Sequence, residues 1–220
     1  MILKELRLRS CHISKLISFY SSVLEMTVIH PDEKSISILA GHSILTFTDT
    51  TETPDPFYHF AFNIPSNKFE EAFQWIQKRS ELLWLEDYKS YVADFVNWNA
   101  KSVYFLDPAG NILELIARFD LNNNADELFS SAQFLNISEI GLVFPGEILD
   151  TKVGEILDIY RLSYFSKQPP LNHFRAIGDN EGLFIAVAEN RNWFATKMVS
   201  AIFPVEVLFI NNNYLYELKM

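Results

Sequence analysis

Several features that would assign a chain to a class of protein are scarce or missing here. Among 220 residues there is one cysteine, Cys11, so no disulfide can form within the chain and a reducing, cytoplasmic location is expected. No apolar run is long enough to span a bilayer. The net charge is −10 without a long basic block, which disfavours duplex nucleic acid and anionic membranes as partners. Glu5 and Arg7 interrupt the apolar start, which predicts no signal peptide.

Apolar and aromatic residues, in contrast, are abundant. Apolar residues make up 49% of the chain and aromatic residues 15%, including 19 phenylalanines. A chain of this length and composition has enough apolar surface to form one large or two small domains. The sequence therefore predicts a soluble globular protein with an aromatic core.

The most informative segment is residues 105–115, which read Phe-Leu-Asp-Pro-Ala-Gly-Asn-Ile-Leu-Glu-Leu. Two apolar, strand-like runs flank Asp-Pro-Ala-Gly-Asn. Asp and Pro start a tight turn, and Gly and Asn tolerate the left-handed backbone that closes it. Glu114 lies inside the returning strand between two leucines, so its carboxylate either faces solvent or is placed for chemistry.

A strand-helix-three-strand pattern over residues 3–48 recurs along the chain. Residues 3–9 alternate between apolar and charged side chains, which predicts a half-buried strand. Helical spacing follows, and residues 26–30, 35–40 and 43–48 are three strand candidates. The same order starts again with a strand over residues 57–64 and a helix whose apolar stripe is Phe69, Ala72, Phe73 and Ile76. Residues 82–85, 101–106 and 112–117 then supply three strands, with an aromatic-rich connection over 86–98.

The repeat continues after a polar linker, residues 119–136, whose core over 120–127 has no periodicity. A third unit starts at Ile137, with a helix and strands over residues 174–177 and 183–188. The last stretch has room for two strands but no helix. An internal repeat of this kind is a strong indication of the architecture of the whole fold. The sequence predicts an α+β fold of repeated βαβββ units forming curved, cup-shaped mixed sheets, with three whole units and a truncated last one. It divides into an N-terminal pair, 1–118, and a degenerate C-terminal pair, 137–220.

The repeated strand-helix-three-strand unit, the pair Phe19-Tyr20 in the first helix and the Asp-Pro-Ala-Gly-Asn-Ile-Leu-Glu-Leu run resemble the vicinal oxygen chelate superfamily. That superfamily includes glyoxalase I, the bleomycin-resistance proteins and the extradiol ring-cleaving dioxygenases. The resemblance is good over residues 1–118 and weaker over 137–220. It indicates a fold more specifically than a reaction, because the superfamily hosts several reactions.

The resemblance implies that paired units form a cup whose metal ligands come from the first strands of both units and the last strand of the second. These positions fall on Glu5, His59 and Glu114. A fourth position used by glyoxalases falls near Ile44, which cannot bind a metal. Strand alternation independently places Glu5, His59 and Glu114 on the faces away from the helices, so all three can point into one cavity.

Such a set of one histidine and two carboxylates would leave coordination positions open for water or a bidentate substrate. It favours Mn²⁺ or Fe²⁺ over copper, with Zn²⁺ and Ni²⁺ also open, and the metal could polarise a carbonyl or stabilise an enolate. The alternative is structural. Glu5 shares its face with Arg7 and Arg9 and could be paired with them, and His59 could be a core histidine.

Other side chains are candidates for substrate contacts. Lys101, on the strand entering the Asp-Pro turn, is a candidate general acid/base or carboxylate binder, against a solvated strand lysine. The candidate substrate-binding residues are Arg7, Arg9, Asn63, Asn99 and Trp98. In the C-terminal half, Glu139 and Glu217 repeat the positions of Glu5 and Glu114, but no histidine repeats His59, which disfavours a second metal site. The loop over residues 191–194 could close over the cup, form dimer contacts or simply pack.

Two functions follow from the resemblance. The first is a divalent-metal-dependent enzyme, of lyase, isomerase or dioxygenase type, acting on a small oxygen-rich metabolite. The second is a metal-free small-molecule-binding protein of the bleomycin-resistance type, with an aromatic, acidic cleft, usually between two subunits. A homodimer is possible in either case. The sequence leaves open whether the C-terminal half completes the cup within one chain.

Overall fold

Residues 1–29 and 31–220 are described in the computed structural model, and they form four successive units. The first unit contains β1 (Ile2–Ser10), α1 (Ile13–Ser18), β2 (Thr27–Ile29), β3 (Ser35–Ala40) and β4 (Ser43–Asp49). The second contains β5 (His59–Ile64), α2 (Phe69–Gln77), β6 (Val92–Phe95), β7 (Ala100–Leu106) and β8 (Ile112–Arg118). A π-helical turn at Phe19–Val23 extends α1. None of the described helices has the length and apolar character that a membrane span requires.

The second half of the chain has fewer elements. The third unit contains β9 (Asn136–Phe144), α3 (Leu149–Tyr160), β10 (Phe174–Asp179) and β11 (Gly182–Ala188). The fourth contains β12 (Glu206–Asn211) and β13 (Tyr214–Lys219). The α+β fold with a truncated last unit is confirmed. The third unit, which the sequence predicted to be whole, has three described strands rather than four. Between α3 and β10, Tyr164 makes only a single bridge to Ile177.

Each of the two sheets combines one unit from each half of the chain. The first sheet has the order β13-β12-β1-β4-β3-β2, and the second has the order β10-β11-β9-β5-β8-β7-β6. The first strands of the paired units run antiparallel, β1 beside β12 and β5 beside β9. Units one and four therefore share a sheet, as do units two and three. The C-terminal half of the chain therefore contributes strands to both sheets. The division into an N-terminal pair of units, 1–118, and a C-terminal pair, 137–220, remains a prediction.

The connection between α2 and β7 differs from the sequence prediction. Residues 82–85 form no strand, because Leu82 and Leu85 are buried in an irregular segment held by single bridges to Phe105 and Ser90. The strand of this region is β6, inside the stretch predicted to be a connection. In the first unit, the predicted strand over 26–30 is present as β2, and its last residue, His30, lies outside the described residues.

Strand alternation separates a core face from a concave face in the second sheet. On β5, Phe60 and Phe62 are fully buried in the main core, which also contains the buried face of α2. Two-residue periodicity then places His59 and Ala61 on the opposite face. The same alternation on β8 places Leu113 and Leu115 in the core and leaves Glu114 on the concave face with His59.

The Asp-Pro turn is fixed by the carboxylate of Asp107. Its Oδ1 accepts backbone N–H groups from Ala109 and Asn111, at 2.9 and 3.0 Å. Its Oδ2 accepts the Asn111 side-chain amide at 2.8 Å and the Tyr20 hydroxyl at 3.1 Å. Gly110 has a φ of +80°, which requires the left-handed conformation that glycine adopts without strain. Since Tyr20 belongs to the first unit, this turn also joins the two sheets.

Titration of Asp107 is expected to make stability depend on pH. Burial raises the pKa of Asp107 from 3.8 to about 6, despite the hydrogen bonds that oppose the shift. A carboxyl group with a raised pKa in the folded state contributes most stability below its unfolded pKa and loses that contribution as pH rises through the folded value. Relative to an Asp107→Asn variant, the wild-type free energy of unfolding should fall by about 2 kcal/mol between pH 4 and 7. Urea denaturation at each pH measures this, and Asp158→Asn, at an exposed position on α3, should show no such trend.

Candidate metal centre

A cavity of about 330 Å³ lies on the concave face of the second sheet. Its wall is largely aromatic, and the ionisable groups among its described polar residues include His59, Glu114, Glu139 and Arg191. A cavity of this size and character is typical of small-molecule sites. Its lining residues all come from the second and third units of one chain and from the segment that connects the third unit to the fourth.

Three neighbouring strands bring the two glutamates together. Ala61 on β5 pairs with Glu114 on β8 and, on its other side, with Glu139 on β9. The two carboxylates therefore flank a small side chain in one row across the sheet. The register of β5 with β9 shifts directly beside this row, where Ser138 is the extra residue of a bulge. Bulges of this kind redirect side chains next to functional sites.

His59 completes the cluster from two residues earlier on β5. Its Nε2 atom lies 3.6 Å from Glu114 Oε2 and 4.0 Å from Glu139 Oε2. Its Nδ1 atom lies 3.1 Å from the carbonyl oxygen of Ile112. Because a carbonyl can only accept, Nδ1 carries the hydrogen of the neutral ring and Nε2 presents a lone pair toward the carboxylates. A backbone carbonyl on the second nitrogen is the usual support of a metal-binding histidine.

When both glutamates are ionised, the acceptor atoms of His59, Glu114 and Glu139 face one another without a donor between them. Burial lowers the pKa of His59, which disfavours the protonated ring that would otherwise bridge the carboxylates. Burial and then the charge of Glu139 raise the pKa of Glu114. Glu114 Oε1 is buried without a hydrogen-bond partner among the described residues. A cation between His59, Glu114 and Glu139 would satisfy all three, and their ligand atoms lie within 4.8 Å of one another.

Arg118, four residues after Glu114 on β8, orients the third member. Its guanidinium is fully buried, bonds to Glu139 Oε1 and lies 3.3 Å from the Ser138 hydroxyl. The guanidinium also lies over the Trp98 ring, 5.4 Å from its centroid. One carboxylate oxygen of Glu139 is thus held by arginine, while Oε2 remains directed toward His59.

Trp193 forms the roof of the cluster. Its ring is 5.4 Å from the His59 ring and is buried. It packs directly on Gly141 of β9, where an added Cβ would lie 2.4 Å from Trp193 Cη2. The neighbouring Phe194 packs 5.3 Å from Tyr104. The sequence left three roles open for the loop over residues 191–194: closing over the cup, forming dimer contacts or packing. In the structure this loop packs over the cup.

Gly141→Ala is expected to displace this roof. The added methyl group cannot fit beside the Trp193 ring, so the variant should lose about 1–3 kcal/mol of stability and expose Trp193 to quenchers. Gly154→Ala is the matched control, because nothing lies within 4 Å of its Cβ and it is inside α3. That variant should gain about 0.5–1 kcal/mol. Equal stability of the two variants would contradict the placement of Trp193.

Comparison with known proteins identifies the family. Metallothiol transferase FosB of Staphylococcus saprophyticus is 31% identical over 108 residues, which are 47% of this chain and 68% of that protein. FosB of Staphylococcus haemolyticus is 30% identical over 109 residues, 47% of this chain and 74% of that protein. This chain belongs to the vicinal oxygen chelate superfamily. No family model matches the chain.

Solved structures show the same superfamily fold over more of the chain. A candidate dioxygenase from Bacillus subtilis aligns with a TM-score of 0.57 at 14% identity, over 85% of this chain and 63% of that one. Glyoxalase I from Zea mays aligns with a TM-score of 0.52 at 15% identity, over 85% of this chain and 66% of that one. The chain thus spans slightly less than two thirds of the length of either protein. At these identities the likeness concerns the fold alone.

Glu5 is not in the cluster, and Glu139 stands in its place. Glu5 lies in the first sheet, where it pairs with Arg7 at 2.8 Å, as the structural alternative proposed. The superfamily arrangement, two first strands and one last strand, holds for units two and three instead of units one and two. The internal repeat contained this signal, because Glu139 starts the third unit as Glu5 starts the first.

The other predicted residues divide into one that lines the cavity and several that do not. Trp98 lines it and donates to Gln168 Oε1 at 3.1 Å. Lys101 shares its strand face with Val103 and Phe105, which are in the core, so it lies on the side of β7 opposite Tyr104 and the cavity. The remaining four are away from the cavity: Arg7 and Arg9 are in the first sheet, Asn63 bonds to the Asn180 and Glu181 carbonyls, and Asn99 bonds to Asp120.

The first sheet contains a counterpart of the cluster that is neutralised by the chain itself. Glu5 and Glu217 flank Leu208 in one row, as Glu139 and Glu114 flank Ala61, and Glu206 takes the position of His59. Arg7 bonds to Glu5 and lies 3.6 Å from Glu206 and from Glu217. Lys219 pairs with the same two glutamates at 3.7 and 3.1 Å. Side-chain cations thus fill the place that a metal ion would take in this sheet.

Proposed function

We propose that this protein is a divalent-metal-dependent enzyme that acts on a small oxygen-bearing molecule, with His59, Glu114 and Glu139 as its metal ligands. The observation that carries the proposal is the convergence of the His59 lone pair and two carboxylates in a buried site with no donor between them. Three protein ligands leave coordination positions for a substrate, as in catalytic rather than closed structural sites.

The ligand set favours a hard or borderline ion. Two carboxylates and one imidazole suit Mn²⁺ or Fe²⁺, and Zn²⁺ or Ni²⁺ would also be held. A bound ion supplies Lewis acidity toward a carbonyl, hydroxyl or other oxygen group. The chain itself contributes orientation and exclusion of water. Ile112 fixes the His59 tautomer, Arg118 fixes Glu139, and Trp193 covers the cluster.

The reaction type is proposed from the relatives. The two FosB proteins are named metallothiol transferases, which adds thiol transfer to the isomerase, lyase and dioxygenase types implied by the superfamily. In all of these an oxygen-bearing substrate would meet the metal from the aromatic side of the cavity. Cytoplasmic location and a homodimer remain predictions, as does the absence of nucleic-acid and membrane partners.

Water-proton relaxation of Mn²⁺-loaded protein tests the proposal. Bound Mn²⁺ with open positions should enhance relaxation, and acetohydroxamate, a probe with two adjacent oxygens, should reduce the enhancement by displacing water. Glu114→Gln should abolish both effects. Bound Mn²⁺ that shows no exchangeable water would contradict a catalytic centre, because a closed site cannot accept a substrate.

A metal-free binding protein is the second candidate. The aromatic wall of the cavity favours it, since stacking surfaces alone can hold a flat ligand. Failure of the protein to bind Mn²⁺, Fe²⁺, Zn²⁺ or Ni²⁺, together with binding of a cationic aromatic compound, would support this function over the enzyme.

A further inference from the structure

Arg191 lies at the edge of the cavity without an acidic partner. Among the described residues it forms no ion pair, and its side chain donates only to the carbonyls of Asn192 and His173, at 3.4 and 3.3 Å. The guanidinium lies 5.6 Å from the centroid of the Phe174 ring. Arg7 and Arg118 are paired with glutamates, whereas Arg9 and Arg161, which do not line the cavity, resemble Arg191 in forming no ion pair among the described residues. Partial burial lowers the pKa of Arg191, which is the effect expected of a cation lacking a nearby anion.

The rest of the cavity is suited to a flat apolar body. Six aromatic side chains line it: Phe95, Trp98, Tyr104, Phe174, Trp193 and Phe194. The hydrogen bond from Trp98 to Gln168 fixes one wall, and the packing of Trp193 on Gly141 fixes another. Rigid aromatic walls bind planar groups with little loss of side-chain freedom.

We infer that the substrate is a flat, apolar acid: its oxygen-bearing end faces the cluster of His59, Glu114 and Glu139, its planar body lies among the aromatic side chains, and its anionic group pairs with Arg191. This inference rests on the proposed function for the metal end of the substrate, while the anion site at Arg191 stands on its own contacts. Arg191 is the cation that lines this cavity, and an arginine fork is suited to carboxylate recognition.

The charges of the site agree with an anionic occupant. Glu114, Glu139 and Arg118 together carry one negative charge when ionised, and a divalent ion changes the sum to one positive charge. Arg191 adds a second. An anionic substrate would neutralise the loaded site, whereas a cationic one would add to its positive charge. With both carboxylates ionised, the metal-free site sums to zero with Arg191 included, and a proton on Glu114 adds less positive charge than a divalent ion does, so the preference for an anion should increase when metal binds.

Calorimetric titration with 2-naphthoate and its neutral isostere 2-naphthamide tests the inference. The native protein, metal-free and Mn²⁺-loaded, should bind naphthoate more tightly than naphthamide. Arg191→Gln should weaken naphthoate binding roughly tenfold or more and leave naphthamide binding unchanged, because only the charge-assisted contact is lost. Lys197→Gln is the matched control: this lysine follows in the same loop but does not line the cavity, so its loss should change neither affinity.

The outcomes separate this inference from the proposed function. Equal affinity of the native protein for the two probes, or unchanged naphthoate binding in Arg191→Gln, would overturn the anion site even if Mn²⁺ binds. Naphthoate binding that depends on Arg191 in a protein that binds no divalent ion would support the anion site while refuting the metal enzyme. If Arg191→Gln bound neither probe because the cavity was damaged, the preference of the metal-free native protein for naphthoate over naphthamide would still decide whether the anion site exists.

Discussion

His59→Ala is expected to lower the affinity for Mn²⁺ by a hundredfold or more. Loss of a residue that only supports a metal ligand costs on the order of 10- to 100-fold, and we propose that His59 is a ligand itself. The variant also leaves two buried carboxylates facing each other with only Arg118 to compensate. Calorimetric titration of Mn²⁺ into the metal-stripped protein measures the change.

A matched histidine variant controls for nonspecific loss. His12 also lies near a carboxylate, with Nε2 3.0 Å from Asp55, but at a more exposed position away from the cavity. His12→Ala should leave Mn²⁺ affinity unchanged. Comparable losses in the two variants would mean that the ion binds elsewhere or that the affinity reflects general acidity of the chain.

Arg118→Met is expected to destabilise the fold by about 3–5 kcal/mol. The guanidinium is fully buried, and its removal leaves the Glu139 carboxylate buried beside Glu114 without its cation. Breaking one side of a buried ion pair costs this much because the remaining charge loses its compensation. Replacing Glu139 by Met as well should recover most of the loss, because two apolar groups of similar size then fill the site. Urea denaturation of the single and double variants gives both values.

Arg79→Met is the control for this experiment. Arg79 also stacks on a tryptophan, 4.2 Å from the Trp75 centroid, and pairs with a glutamate, but at the surface. Exposed pairs contribute at most about 1 kcal/mol. If Arg118→Met costs no more than Arg79→Met, Arg118 does not compensate the cluster, and the orientation of Glu139 needs another explanation.

Local features of the sequence predicted the fold and two of the three members of the cluster, His59 and Glu114. Alternation on β5 and β8 placed His59 and Glu114 on one face, and parallel pairing of these strands then brings them together. The Asp-Pro turn was recognisable because Asp107 and Gly110 satisfy local hydrogen-bonding and conformational needs that depend little on the rest of the chain.

The third member of the cluster depended on information that alternation does not contain. Strand periodicity gives the face on which Glu5 lies but not the sheet, and the sheet is decided by long-range pairing of first strands. The same limit applies to Lys101: its strand was predicted, but which face of that strand meets the cavity depends on how β7 packs in the sheet. Glu139 could have been found by applying the internal repeat to every possible pairing of units.

Arg118 and Trp193 were harder to identify from the sequence. An arginine at the end of an apolar strand is usually exposed, and its burial here depends on Glu139, from another unit, and on the Trp98 ring. Trp193 lies in an irregular loop whose position is fixed by contact with Gly141. In both cases the partner is distant in the chain, so no local pattern indicates it.

Anomalous diffraction from crystals soaked in Mn²⁺ would test the metal centre most directly. We expect one strong peak, bonded to His59 Nε2 and to carboxylate oxygens of Glu114 and Glu139. We expect no peak between Glu5, Glu206 and Glu217, because Arg7 and Lys219 neutralise that counterpart. A peak at the counterpart, or no peak at the His59 cluster, would contradict the proposed metal centre and the division of roles between the two sheets.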